Sequence, residues 1–181
     1  KELKTFADSF WVIKFLTQHG ELLTEKCFDY EVRILISRIK TLLGKKKEQD
    51  DRYSYILLPS IDTPFKDGSW KEPLDFLILE LGKTLLRGAK DVSKLALILN
   101  GLLAESFEVF HRIAFLVIGK FYDNHSSIFW DSIKKEWFDN SNLRHELFIL
   151  LRENFLKFDD NQKNKIFDII QQVPLNLPKD G

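Results

Sequence analysis

The sequence predicts an all-α fold: stacked antiparallel helical hairpins, a fragment of a HEAT-like α-solenoid. Three observations carry that prediction. Apolar residues recur at steps of three and four along most of the 181-residue chain, which lines them up on one side of a helix. Glycine, proline and polar caps punctuate these stripes at intervals of roughly ten to seventeen residues. No run of alternating apolar and polar residues marks a strand. The short joints favour antiparallel neighbours stacked in pairs, although no repeat of fixed period is visible residue by residue.

Residues 1–44 are expected to form an N-terminal helical hairpin. Phe6, Phe10, Val12, Ile13 and Leu16 give the inner face of its first helix, which His19-Gly20 is expected to end. Phe28, Val32, Leu35, Ile36, Ile39 and Leu43 line the second, with Gly44 in the position of a C-terminal cap. Residues 45–73 are expected to be an irregular, proline-containing linker. It opens on Lys45-Lys46-Lys47, followed at once by Glu48, Asp50 and Asp51, and is punctuated by Pro59, Pro64, Gly68 and Pro73. Its apolar centre, Tyr53 to Leu58, suggests a segment laid across the helices.

Residues 74–181 are expected to be the C-terminal helical array. Leu74, Leu77, Ile78, Leu81 and Leu85 form one stripe, ending near Gly88. Val92, Leu95, Ala96, Leu99, Leu102 and Leu103 form the next. Phe107, Phe110, Ala114, Val117, Ile118 and Phe121 share a third. A shorter helix, entered through Ser126-Ser127, is expected to carry Trp130, Ile133 and Trp137. Leu143, Leu147, Leu150 and Leu151, flanked by Phe148 and Phe155, mark another. Asp159-Asp160-Asn161-Gln162 then opens the last helix as a capping box. Ile166, Ile169 and Ile170 line its inner side, and Val173-Pro174 stops it.

Composition narrows the function classes. Lys plus Arg equals 27 and Asp plus Glu equals 27, so the clustered positive charge that neutralises phosphates is absent overall, which argues against nucleic acid. Cys27 is the single cysteine. It excludes an internal disulfide and a multi-cysteine zinc site, and is expected to be a small buried hydrophobe in a reducing, cytoplasmic setting. No apolar run of about twenty residues exists to span a bilayer. The chain starts at Lys1 and contains no Met, from which an excerpt or a processed product is expected.

Several short motifs resemble chemistry without meeting its requirements. Gly82-Lys83-Thr84 resembles the end of a phosphate-binding loop, but that loop needs a glycine five positions earlier, where Leu77 stands. His145-Glu146 opens like a zinc-protease helix, yet the position one turn on from His145 is Ile149. His19, His111 and His125 have no partner histidine at ligand spacing. No catalytic residue, metal ligand or cofactor is therefore assigned. The polar set Arg144, His145, Glu146 and Arg152 stands beside an apolar stripe and is expected to tie neighbouring helices together or to meet a partner.

Three stretches carry a family resemblance. They are Phe107 to Phe121, Asn142-Leu143-Arg144-His145-Glu146-Leu147-Phe148-Ile149-Leu150-Leu151-Arg152, and Phe155 with the helix from Asp159 to Pro174. Together they resemble the C-terminal helical region of large bacterial STAND or NACHT-like NTPases, some of them linked to defence against phage. In that family an Arg-His-Glu-aromatic helix precedes a phenylalanine, an acidic turn and a helix closing at Gly-Pro. Here Leu147 takes the aromatic position and Gln172-Val173-Pro174 takes the close. The family's nucleotide machinery lies upstream of this region, so the resemblance implies a non-catalytic scaffold or recognition segment. Its partners would be proteins or neighbouring domains of the same chain. The rival expectations are a small all-α enzyme with a cleft near Arg144 and His145, and a weak nucleic-acid module using the Lys45 segment with Lys134 and Lys135.

Overall fold

A computed structural model describes residues 9–49, 61 and 73–172 of the chain. Among these residues there is no strand, and eight α-helices pack against one another. They are α1 (Ser9–Gln49), α2 (Pro73–Arg87), α3 (Val92–Leu103), α4 (Glu108–Lys120), α5 (Tyr122–Ser132), α6 (Glu136–Asp139), α7 (Arg144–Asn154) and α8 (Asp160–Gln172). A single turn of 3₁₀ helix, Phe155–Lys157, joins the last two. The fold class is as the periodicity predicts.

The direction of stacking follows from which side chains meet. Glu108 accepts from Asn142, Arg112 pairs with Glu146, and Lys120 with Glu153. These pairs are separated by 34, 34 and 33 residues, so α4 and α7 run in the same direction. The layer behind repeats the step: Lys157 reaches Asp123 across 34 residues and Lys165 reaches the Trp130 carbonyl across 35. Gly82 of α2 lies against Leu116 of α4, again 34 residues further on. Helices α2, α4 and α7 thus form one layer, and α3, α5 and α8 the other, advancing one helix pair at a time as repeat arrays do. An echo survives in the sequence. Val109, His111, Ile113, Leu116, Val117 and Phe121 recur 34 positions later as Leu143, His145, Leu147, Leu150, Leu151 and Phe155.

Helix α1 is the first of the described helices. Its second limb runs parallel to α3, with Asp29 meeting Lys94 and Lys40 meeting Glu105, each across 65 residues. The extra separation is taken up by the segment between α1 and α2. Val32, Leu35, Ile39 and Leu43 join the same continuous apolar core as Leu74, Phe110 and Phe158.

Several expected boundaries move. The helix runs through Gly20, and the joint falls instead at Cys27, whose φ of −137° and ψ of 28° leave the helical region. Thr24 hydrogen-bonds Glu31 at 3.0 Å across this joint. Two turns of straight helix would hold those residues about 10.5 Å apart along the axis, further than the two side chains reach, so α1 bends sharply here. Cys27 itself is exposed and not a buried hydrophobe. Helix α1 also passes through Gly44 to Gln49, which puts Lys45, Lys46 and Lys47 in its last turns. A lone glycine costs a helix only about 1 kcal/mol relative to alanine, too little by itself to end it.

Helix α5 passes through Ser126-Ser127 and breaks at Ile133, leaving Trp137 in the separate α6. Tyr53 to Leu58 and Val173-Pro174 lie outside the described residues. The capping box is present: the Asp159 side chain accepts from the Gln162 backbone at 2.8 Å, and the Gln162 side chain accepts from Asp159 at 3.1 Å.

Candidate interaction surface

Helix α7 carries all four polar residues singled out from the sequence, Arg152 near its end, and it divides them between two faces. Leu143, Glu146, Leu147, Leu150 and Asn154 are buried. Arg144, His145, Phe148 and Arg152 are exposed. Helical spacing enforces the split: residues 144, 148, 152 and 155 lie along one side, turned away from 143, 147, 150 and 154.

Glu146 turns inward and pairs with a residue of α4 that sequence reasoning missed. Arg112 Nε donates to Oε2 at 2.6 Å and Arg112 Nη2 to Oε1 at 2.8 Å, a two-pronged pair with both side chains buried. The Ile61 backbone N–H donates to the same Oε1 at 3.0 Å, and the Ile61 side chain is buried beside Gly82. One carboxylate therefore ties α4, α7 and residue 61 together. Asn140 and Asn142 donate to the two oxygens of Glu108 at 2.6 and 2.7 Å, which anchors the turn before α7 onto the start of α4. The signal for Arg112 was its place in the run from Val109 to Ile118, where every position is buried. An arginine kept inside such a run needs a carboxylate from elsewhere in the chain.

The outward face of α7 continues onto α8. Phe148 is 60% exposed, and the Arg152 guanidinium lies 5.4 Å from its ring centre. Phe155 meets Phe167 at 6.5 Å, and Lys163 lies 5.9 Å from the Phe155 ring. Phe167 and Ile170 are 50% and 51% exposed. Of the stripe expected to face inward on α8, Ile166 is buried, Ile169 partly so, and Ile170 is largely open. This outward side of α7 and α8, the last of the described helices, is an apolar strip edged by Arg144, Arg152 and Lys163. A second, shallower face lies between α1 and α3. Val32, Ile36 and Ile98 line it, Leu97 stands 77% exposed on its wall, and the Asp29–Lys94 and Lys40–Glu105 pairs close its ends at 2.9 and 2.8 Å.

Two other places in the fold hold buried polar groups. At the bend in α1, Glu31 accepts from Thr84 at 3.2 Å and lies 3.0 Å from the Thr24 hydroxyl. Arg87, paired with Glu80 at 2.9 Å, reaches over Thr24. Burial pushes the Glu31 carboxyl above its ordinary range. The threonine hydroxyls oppose that shift, Glu80 adds to it and Arg87 opposes it. In α4, His111 directs Nε2 at the Glu105 carbonyl at 2.9 Å. A carbonyl only accepts, so the proton sits on Nε2. Burial holds His111 and His125 below the usual histidine range, partly offset at His111 by the Glu105 carbonyl. Gly82-Lys83-Thr84 lies inside α2, with Thr84 buried against Glu31 and Lys83 exposed.

Among the described residues, no group of three His, Cys, Asp or Glu side chains could hold a metal ion. No helix among them is long and apolar enough to cross a membrane. No protein family, curated protein or solved structure matches the chain.

Proposed function

We propose that this chain is a non-catalytic helical scaffold or recognition segment of a larger intracellular bacterial protein of the STAND or NACHT-like NTPase type. It binds protein partners or neighbouring domains of its own chain. The observation that carries this reading is the apolar, basic-edged strip on the outward side of α7 and α8, where Phe148, Phe167 and Ile170 are open. An exposed apolar strip rimmed by polar residues is characteristic of an interaction site.

The geometry favours this reading over a cleft at Arg144 and His145. Glu146, the one carboxylate beside them in sequence, is turned inward and occupied by Arg112. A photo-reactive benzoylphenylalanine placed at Phe148, and separately at Leu97, in the full-length protein tests the reading. Cross-links to protein segments at either position are expected. Their absence at both, in a folded protein, would sink it.

A further inference from the structure

We infer that the outward face of α7 and α8 docks an acidic amphipathic helix, laid along α7 where a next helix of the stack would lie. The inference rests on the scaffold reading and names the partner's chemistry. Three observations carry it.

The first is the shape of the joints already in the stack. Helix α4 receives α7 in parallel, by apolar contact around Leu116, Gly119 and Leu150 and by two charged pairs, Arg112 with Glu146 and Lys120 with Glu153. The outward side of α7 offers the same ingredients. Phe148 and Phe155 supply the apolar stripe, and Arg144 and Arg152 supply the cations. From 144 to 155 this stripe spans about 16 Å, or three helical turns, at 1.5 Å per residue.

The second is charge. Arg144, Arg152 and Lys163 edge the strip, and the carboxylates beside them form only long, solvent-exposed pairs that contribute little. Glu153 pairs with Lys120 at 3.4 Å and with Arg152 at 3.7 Å, and Asp160 lies 3.8 Å from Lys163 at the outer margin. The basic edge selects a partner helix with Glu or Asp flanking its apolar residues. The same edge disfavours a second copy packing face to face, since Arg144 and Arg152 would meet their own equivalents.

The third is the state of Arg152. Its guanidinium lies over the Phe148 ring with Nη2 3.7 Å from the exposed Glu153 carboxylate, and a stacked guanidinium can turn its remaining N–H groups to an incoming carboxylate. Phe148 and Arg152 therefore present one apolar and one charged contact to the same incoming turn.

The test uses two labelled 18-residue synthetic helices sharing one leucine stripe, one with flanking glutamates and the other with flanking lysines. Fluorescence anisotropy against the full chain is expected to show the glutamate helix binding at least tenfold more tightly. Arg152→Glu and Phe148→Ser should each weaken it at least tenfold while leaving the helical circular dichroism and the melting temperature unchanged, because both side chains are exposed. Equal binding of the two helices, or binding insensitive to both substitutions, overturns the inference. So does a dimer in light scattering that Phe148→Ser abolishes, because the occupant is then a second copy. If cross-links form at Phe148 but run to basic or uncharged segments, the acidic-helix inference fails and the scaffold reading stands. Without cross-links at Phe148 or Leu97, both fall.

Discussion

Arg112 and Glu146 illustrate how a buried charge is retained in so apolar a fold. Each alone would face a desolvation cost of several kcal/mol, and together they recover it through two short hydrogen bonds plus the N–H of Ile61. Removing one partner strands the other. Glu146→Ala is expected to cost about 3 to 5 kcal/mol, a large fraction of the roughly 5 to 15 kcal/mol that holds a domain together. The double variant Arg112→Met with Glu146→Leu should regain most of that loss, as read from urea midpoints. A double variant no more stable than the single would show that the pair is not the cause. The site was half legible in the sequence for the same physical reason. Glu146 stands out beside a leucine stripe, but its partner lies 34 residues away, and only the packing of α4 on α7 brings the two together.

Glu31 sets a second residue-scale expectation. The Thr24 hydroxyl has one proton and two acceptors in reach, the Gly20 carbonyl at 2.8 Å and Glu31 at 3.0 Å. A proton on Glu31 satisfies both. Its folded-state pKa is raised above the ordinary 4.5, so its contribution is fully present below that pH and is lost as pH rises through the folded value. Glu31→Gln, which keeps a donor without the charge, should therefore melt higher than the parent at pH 7 to 8 and no higher at pH 4. His111 and His125 act with the opposite sign. Their pKa values are lowered from 6.5, so stability falls as pH drops below about 6.5. They are common to both proteins, so comparing variant with parent isolates Glu31. A melting difference independent of pH would contradict the assignment.

At the scale of elements, the sequence was most legible where a stripe had a cap. The last helix begins at its capping box because Asp159 and Gln162 satisfy each other's backbone donors. Helix α3 begins at Asp91, whose side chain accepts from the Lys94 N–H at 3.0 Å. Of the joints marked by glycine, that near Gly88 is where α2 ends, while those at Gly20 and Gly44 were misplaced. Gly20 and Gly44 lie inside α1, because a helix end needs partners for its free backbone groups and not merely a weak residue. Gly20 has a different task, since a Cβ there would lie 2.7 Å from Arg87 Nη1 and 2.9 Å from Glu80 Oε1. Gly88 is tighter still, with the Phe28 ring covering its Cα face so that an added Cβ would overlap the ring. Gly88→Ala is thus expected to cost about 1 to 3 kcal/mol through overpacking between α1 and the end of α2. Adding Phe28→Leu should recover part of it. If Gly88→Ala leaves the melting temperature untouched, α1 does not rest on that turn.

For the whole molecule, the long segment between α1 and α2 would suggest two units, yet the apolar core runs unbroken from Val32 to Phe158. The repeat step that organises it was hidden because the echo between α4 and α7 keeps apolar character, one histidine and one phenylalanine but little else. Stacked pairs with a shared core lose stability together when the interfaces between neighbours are strong. The chain supplies its own reporters at the two ends. Cys27 is exposed at the bend in α1 and is the only cysteine, so an environment-sensitive thiol label there follows the N-terminal limbs. Trp137 is buried among Phe115 and Phe129, and Trp130 packs on Phe129, so with Trp11 and Trp70 replaced by Phe the tryptophan emission follows the C-terminal array. Urea titrations followed by the label and by tryptophan emission should share one midpoint and one slope. Glu146→Ala, 119 positions away in sequence from the label, should shift both midpoints equally. Separate midpoints, with only the tryptophan transition moved by Glu146→Ala, would mean that α1 is a unit of its own docked on the array. The contacts of Val32, Leu35 and Ile39 with the core would then contribute little to holding the two together.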